Sequence, residues 1–289
     1  MVRQRSAKPL FTGSSPVAAS SYFSLKDGHS SYKTSLQGYL FYQMKDYAVL
    51  IPLRLASKRL RGKPLLKIGG LPLFVHIFQN IAHNSQNIHI ATADEEIIET
   101  CRKYDIPYIR TSNRPRNGSE RVAEAVIKAN IKYDIIVNLQ GDEVDADIAL
   151  IEGVVRKSKS LKTATGTAVS LIRTEEIYDP DTVKAVIDRN NRCIFFTRAP
   201  IPFIRNKSKL PKSIYRHIGV YCFERETLLR YRSLRPSYLE ETESLEQMRL
   251  IENGIAMSGF ITEKNYRKID NINEFKKLRG KQNDDQEEE

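Results

Sequence analysis

Residues 50–65 read LIPLRLASKRLRGKPL, an apolar run that passes without a break into five cations, Arg54, Lys58, Arg59, Arg61 and Lys63, with Gly62 among them. The apolar part, Tyr47–Leu53, has the length and the Val/Leu/Ile content of a buried strand. Like charges at this density repel one another unless an anion gathers them. Gly62 supplies the backbone freedom of a tight turn. In a sheet of parallel strands, ligands bind beyond the carboxyl ends. A cationic turn at that place reads as a polyphosphate site, with guanidinium forks and an ammonium group making charge-assisted contacts. The other reading of the same residues is a solvated basic loop. RGKPLL lacks the GxxxxGK[ST] spacing of a P-loop, and Pro64 stands where that motif needs a hydroxyl. No GxGxxG is present, which argues against dinucleotide redox chemistry.

Outward from this stretch the pattern alternates. Strands are predicted at Tyr47–Leu53, Asn87–Ala93, Pro107–Thr111 and Asp134–Leu139. Each is followed by a helical pattern, at Leu73–Ala82, Glu95–Tyr104, Glu120–Ala129 and Ile148–Ser158. Ser119 is the predicted N-cap of the third helix, whose apolar face is Val122, Ala125, Val126 and Ala129. This is the pattern of an α/β fold with parallel strands and right-handed crossovers. After residue 160 the character becomes α+β. VKAVIDRNNRCIFFTR predicts two strands around an Asp-Arg-Asn-Asn turn, and HIGVYCF predicts another. Helices are predicted at Glu226–Leu234 and Glu243–Asn253, the latter stopped by Gly254, then a strand at YRKID and a helix at Ile272–Arg279.

The chain has 289 residues, 40% of them hydrophobic and 28% charged, enough for a sizeable core. No apolar run approaches the ~18 residues of a membrane span, so no membrane insertion is expected. The formal charge is +11, but residues 1–46 hold six Lys/Arg against two acids, so a tail carries over a third of the excess. That excess invites a nucleic-acid partner without compelling one, and no RNP-like or KH-like signature accompanies it. Cys101, Cys193 and Cys222 lie far apart without metal or redox spacing, which points to a reducing compartment, the cytoplasm. Residues 1–43, with nine serines, read as a disordered extension, which resembles a transit peptide. A mis-called start is the third reading: Gly13-Ser14-Ser15-Pro16 can be encoded by a sequence like a tRNA T-arm, which would make Met44 the start. Residues 281–289 read as an acidic tail.

A second stretch carries chemistry. In VNLQGDE a strand ends in Gln140, Gly141, Asp142 and Glu143. A carboxylate beyond a strand tip, close to a phosphate-binding turn, suits Mg²⁺, which takes one or two protein carboxylates plus phosphate oxygens and water. Asp270, again at a predicted strand end, is a second candidate. A strand-terminal aspartate taken alone is more often a turn or helix cap. His217 reads equally as a core histidine or a ligand contact, Tyr221 as core, and Arg198 as a partner for any nearby carboxylate. Glu246 and Gln247 lie on the polar face of an amphipathic helix.

Taken together, PLRLASKRLRGKPL, RNGSERVAEAV, VNLQGDE, VKAVID…FFTRAPIPF, YRHIGVY, SLEQMR and KIDN stand in an order and spacing that resembles the 3-deoxy-manno-octulosonate (Kdo) cytidylyltransferases, or CMP-Kdo synthetases. The resemblance covers Tyr47 to Arg279. The first and third motifs also resemble other sugar cytidylyltransferases, such as the acylneuraminate enzymes, while RHIGVY and LEQMR favour Kdo. The resemblance implies a Rossmann-like nucleotidyltransferase sheet with a smaller α+β dimerisation subdomain, residues 44–280 forming the cytidylyltransferase domain of a homodimer. It implies Mg²⁺-dependent transfer of CMP from CTP to the anomeric hydroxyl of Kdo, releasing pyrophosphate, for lipopolysaccharide biosynthesis. By the same resemblance Arg54 and Lys63, supported by Arg59, hold the triphosphate, and Asn117, Gly118, Ser119 and Arg121 lie around the cytidine. Asp142 and Asp270 hold the metal, and Gln140, Arg198, His217, Tyr221, Glu246 and Gln247 line the sugar pocket. Arg54, Lys63 and Asp142 are the residues assigned to catalysis.

The chain departs from the family pattern at several positions. Leu53 and Arg61 stand for alanine and proline, Pro115 for histidine, Val144 for the proline after GDE, and Asn271-Ile272 for Thr-Pro. These positions bear on base recognition and on the sugar. They leave open another acidic sugar, such as 8-amino-Kdo or a nonulosonate, and a protein that binds nucleotide or nucleic acid without catalysis.

Overall fold

The computed structural model describes residues 47–56, 60–82, 87–203, 205 and 214–276. The expectations for Arg59, for the two tails and for the last turn of the C-terminal helix lie outside these residues. Strand β1 (Tyr47–Pro52) is buried at every position. A small hairpin, β2 (Lys67–Ile68) with β3 (Leu71–Pro72), leads into α1 (Leu73–Ala82). Then follow β4 (Ile88–Thr92), α2 (Glu95–Lys103), β5 (Tyr108–Arg110), α3 (Gly118–Lys128), β6 (Ile135–Leu139) and α4 (Ile148–Leu161). β1 runs parallel to β4 on one side and to β6 on the other, and β4 parallel to β5. The alternation within β1 divides the core. Val49 and Ile51 pack with α1, α2 and α4 on one face, while Ala48 and Leu50 pack with α3 on the other. A strand covered on both faces reads as the unbroken apolar run seen in the sequence.

The sheet continues through the second half. β7 (Thr165–Leu171), β8 (Lys184–Ile187), β9 (Cys193–Thr197), β10 (Tyr215–Glu224) and β11 (Met257–Thr262) extend it, giving the order β11-β7-β10-β6-β1-β4-β5. β10 is antiparallel to both β6 and β7, and β11 is parallel to β7. The part that stands off this path is the β8–β9 hairpin, joined to β10 at Lys184 and Ala185. Lys184 is fully buried, and its ammonium donates to the carbonyls of Asp179, Thr182 and Arg198 at 2.7–2.8 Å.

Three sequence expectations are corrected. The helix predicted over Glu243–Asn253 does not begin until Met248. After α5 (Arg225–Ser233), α6 (Tyr238–Glu243) ends at Ser244 with a φ of +54°, and α7 (Met248–Glu252) begins four residues later. The break follows from Glu243, whose carboxylate accepts from the Thr197 hydroxyl at 2.7 Å and from the Arg198 amide, tying the end of α6 to β9. YRKID adds no strand to the sheet and makes a single bridge, Lys268 to Glu143. The N-cap of α3 is Asn117, not Ser119, and its Oδ1 accepts from the Glu120 amide at 2.9 Å. No helix among the described residues is long and apolar enough to cross a membrane.

Candidate active site

Beyond β1 the chain loops out and returns. Gly62, at a φ of +69°, takes the left-handed conformation that glycine adopts without strain, and its amide closes the loop on Leu55 O at 3.1 Å. The single 3₁₀ turn Lys63–Leu65 follows, with Pro64 buried beneath it. This carries Lys63 over the tip of β6. Its ammonium lies 2.9 Å from Asp142 Oδ2, 2.8 Å from Ile269 O and 3.7 Å from Asp270 Oδ1. Two aspartates far apart in the sequence thus share one cation. A second ammonium, Lys268, lies 2.9 Å from Asp270 Oδ2 and 3.8 Å from Asp142 Oδ2. Backbone pairing brings the segments together, Ile269 N to Asp142 O and Val144 N to Arg267 O, both at 3.1 Å. Arg267 clamps Asp145 with two 2.7 Å contacts beside them.

The donor set fits a hard divalent cation. Two carboxylates converge on one point, and the protein itself already places cationic groups against both. Mg²⁺ needs no more protein ligands than that when phosphate and water complete its shell. Among the described residues no cluster of three or more His, Cys, Asp or Glu forms a candidate metal site, so a closed zinc-type ligand set does not arise there.

The N-terminus of α3 forms the adjoining wall. An added Cβ at Gly118 would lie 2.6 Å from Gln140 Nε2, so a larger residue here would displace the Gln140 side chain from the wall. Asn117 uses its whole side chain, capping α3 and donating to Tyr231 Oη at 2.8 Å and Glu240 Oε1 at 3.1 Å. Glu246 reaches across to accept from Ser119 N at 2.8 Å and from Gln140 Nε2 at 2.9 Å. Ser119 is 1% exposed and accepts from Asn138 Nδ2, so it supports the wall instead of facing a ligand. Arg121 is also largely buried, bonded to Thr111 Oγ1 and Ser112 O, yet lines the cavity.

Burial pushes the Glu246 carboxyl up to about 7, against the pull of the Ser119 amide. A carboxyl raised from an ordinary 4.5 holds its proton in the fold after the unfolded chain has released it, so its contribution is present below pH 4.5 and lost as pH rises through 7. Glu246→Gln should therefore gain stability relative to the wild type between pH 5 and pH 8, by up to ~3 kcal/mol. Urea unfolding at the two pH values checks this. A difference that does not change with pH would show that Glu246 ionises normally.

On the far side, β10 carries a bulge between Ile218 and Tyr221, where its register with β7 shifts. Glu143 occupies the break, accepting from Gly219 N at 2.7 Å, and burial pushes its carboxyl up to about 7. Thr167 Oγ1 donates to Val220 O at 2.8 Å and lies 2.9 Å from His217 Nε2. Burial first, and then Lys268, Arg198 and Arg216, push the His217 imidazole down to about 3, so it is neutral at physiological pH. Its ring lies 5.3 Å from those of Phe196 and Tyr221. Tyr221 donates to Gln247 Oε1 at 3.2 Å, while the buried Nε2 of Gln247 has no hydrogen-bond partner among the described residues. Arg198 donates through Nε to Glu243 O and through a terminal nitrogen to Pro180 O, both at 2.9 Å.

These walls enclose two connected spaces. The smaller, about 200 Å³, lies between Arg54, Lys63, Pro115, Gly118, Arg121 and Asp142. The larger, about 1080 Å³, takes in Arg198, His217, Tyr221, Glu246, Gln247 and Lys268. Arg54, Asn117, Gly118, Gln140 and Asp142 line both. Their combined size exceeds the 300–1,000 Å³ or so that suits one small ligand and leaves room for two. Among the described residues, every site residue assigned from the sequence except Ser119 and Asp270 lines one or both spaces. Asp270 is 3% exposed and stands behind Lys63 and Lys268. Sequence reasoning missed Lys268, Glu143 and Arg249. Lys268 sat inside the quoted KIDN motif, but a lysine in a predicted strand gives no local sign of its carboxylate partners.

A cation-and-carboxylate cluster at parallel strand tips, beside a helix N-terminus and a two-part cleft, defines a nucleotidyltransferase. A profile of the family described as cytidylyltransferase matches residues 48–269. The chain belongs to the 3-deoxy-manno-octulosonate cytidylyltransferase family. It is 42% identical over 215 residues, 72% of this chain and 86% of the relative, to the 3-deoxy-manno-octulosonate cytidylyltransferase of Chlorobium phaeobacteroides (strain BS1). It is 38% identical over 212 residues, 72% of this chain and 73% of the relative, to the mitochondrial 3-deoxy-manno-octulosonate cytidylyltransferase of Arabidopsis thaliana. Among solved structures, CMP:2-keto-3-deoxy-manno-octonic acid synthetase complexed with CTP matches with a TM-score of 0.75 at 30% identity, covering 83% of this chain and 99% of that one.

Proposed function

We propose that the chain transfers CMP from CTP to the anomeric hydroxyl of Kdo, with Mg²⁺, giving CMP-Kdo and pyrophosphate for lipopolysaccharide assembly. The observation that carries this reading is the convergence of Asp142, Asp270 and Lys63 at the strand tips, beside a cleft lined by Arg54. In the reaction the hydroxyl gives up its proton to solvent, its oxygen bonds to the α-phosphorus, the α–β bridging P–O bond breaks, and pyrophosphate leaves with the electron pair. Attacking and attacked groups are both anionic, so the work is positioning and charge neutralisation. Arg54 and Lys63 meet the triphosphate, and the backbone at Asn117–Gly118 with Arg121 flanks the cytidine. Gln140, Arg198, His217, Tyr221 and Gln247 position the sugar, the unsatisfied Gln247 amide being a ready donor to a hydroxyl or carboxylate. Asp142 and Asp270 would hold the metal, which when bound screens phosphate charge and lowers the pKa of an attacking hydroxyl. Glu143 and Glu246, although poised near neutrality, are spent on backbone amides, and His217 is engaged by Thr167. Among the described residues, neither these two carboxyls nor this imidazole is thus left over as a dedicated base.

The homology to enzymes of that name, at 42% identity, supports Kdo as the acceptor. A homodimer is supported by large apolar side chains left exposed around the β8–β9 hairpin, Leu171, Tyr178, Ile194 and Phe203, the last 92% exposed. A cytoplasmic setting accords with three buried free cysteines. The test is pyrophosphate release from CTP on addition of Kdo, set against UTP and a panel of other acidic sugars. Release with a different sugar only would reassign the acceptor, and no release with any would sink the reading. In the same assay Arg54→Ala should raise the KM for CTP about tenfold, by losing one charge-assisted contact, and leave the KM for Kdo nearly unchanged.

A further inference from the structure

The two carboxylates assigned to the metal are not the end of the cluster. Lys268 reaches both, at 2.9 Å to Asp270 and 3.8 Å to Asp142. Lys63 is differently placed. Besides the aspartates it donates to the Ile269 carbonyl at 2.8 Å, so it keeps a neutral partner whatever happens to the carboxylates. The side-chain partners of Lys268 among the described residues are the two aspartates alone. It is also 31% exposed, and it lines the larger space with Gln140, Asp142, His217 and Gly219. Two other buried cations show the contrast. Lys184 and Arg249 are fully buried and bonded on every side.

We propose that Lys268 is a built-in counter-ion that competes with the divalent cation for Asp142 and Asp270, and that its ammonium turns to the anionic substrates in the larger space when the cation enters. The inference rests on the metal reading given above. An ammonium within contact distance of both ligands lowers the potential that attracts a dication and blocks part of its approach. Once the carboxylate oxygens are taken, the ammonium keeps on the protein side, among the described residues, only the charge of Glu143, beyond contact distance, and faces the cavity, where the phosphates and the sugar acid would lie. Lys268 is in this sense a positioning residue: it holds the aspartates together in the free protein and couples metal entry to substrate binding. A purely structural ion pair would behave oppositely, since removing it would loosen the aspartates and weaken metal binding.

The experiment is a Mn²⁺ titration of the full chain without nucleotide, followed by electron paramagnetic resonance, for the wild type, Lys268→Met and Lys268→Arg. Removing one unit of positive charge at contact distance should tighten Mn²⁺ binding about tenfold in Lys268→Met. Lys268→Arg, which keeps the charge, should show no tightening. Unchanged or weaker binding by Lys268→Met overturns the proposal while leaving the metal site in place. No Mn²⁺ binding by either protein overturns the metal reading and the proposal together. If Lys268→Met does not fold, reductive methylation of the wild type mapped by mass spectrometry decides. Labelling of Lys268 should rise when Mn²⁺ is added, and unchanged labelling overturns the proposal.

Discussion

Alanine at position 142 should leave the chain folded and lower turnover about a thousandfold, ~4 kcal/mol of activation free energy, at every magnesium concentration. Folding survives because the structural work at this position is done by the backbone, whose carbonyl accepts from Ile269 N at 3.1 Å. Lys63 would also keep the Ile269 carbonyl and Asp270 as partners. On the proposed metal reading turnover collapses because one of the two carboxylates assigned to the cation is gone, so the charge that screens the α-phosphate is weakly held. Asp142→Asn should fall as far, since it keeps the shape and loses the charge. Asp270→Ala should match it, and the double variant should be little worse than either, as expected of groups that act as a unit. Pyrophosphate release measures the loss and circular dichroism the fold. Wild-type turnover by the folded Asp142→Ala protein would remove the metal assignment.

How much of this was legible in the sequence depends on the kind of interaction that specifies each part. β1, β4 and β6 were readable because strands covered on both faces must be apolar throughout, and α3 because its buried face recurs at helical spacing. β7 was not. Its sequence, TGTAVSL, is small and polar, and its strand character comes from neighbours. Thr165 and Thr167 are fully buried because their hydroxyls reach Ala256 O, just before β11, and Val220 O on β10. The break between α6 and α7 was hidden for a similar reason, since the helical pattern persists through Ser244 and only the tie from Glu243 to Thr197 interrupts it. The Ser119 cap was misplaced by two residues, because Gly118 carries the first turn and Asn117, in extended conformation, is where the side chain can reach back. At the site, charge and strand-tip position pointed to Lys63 and Asp142 locally. Asp270 was a candidate from a predicted strand end that the fold replaces with a single bridge, and its pairing with Asp142 came from the motif resemblance, since no periodicity encodes a contact between segments so distant. Lys268 and Arg249 were invisible because a buried cation is recognised by its partners.

Arg249 carries the largest stability effect. Its guanidinium, 0% exposed, donates through Nε and a terminal nitrogen to both oxygens of Glu240 at 2.6 and 2.5 Å, and through the other to Glu120 Oε1 at 2.9 Å. It lies 4.4 Å over the ring of Tyr231. Burial works to lower its pKa, but the Glu240 fork, Tyr231 and Glu120 together hold it above its ordinary value. Glu120 has a second cation in Arg116, at 2.7 Å, whereas the Glu240 carboxylate is left with the Asn117 side-chain amide and the Ser237 backbone N–H. Arg249→Met would therefore strand a buried carboxylate, a change that costs about 3–5 kcal/mol. The damage would not stay local. Glu240 and Tyr231 hold the Asn117 side chain that caps α3, so the wall beside Gly118 should loosen and the KM for CTP should rise with the loss of stability. A thermal midpoint lower by roughly 10 °C is expected. Lysine at this position should recover only part of it, because an ammonium cannot make the fork. Removing the stranded charge as well, in Arg249→Met/Glu240→Gln, should restore some of the stability lost by the single variant. If Arg249→Met unfolds within a degree or two of the wild type, the guanidinium is a passenger of packing, and the link between the acidic helices and the nucleotide wall does not hold.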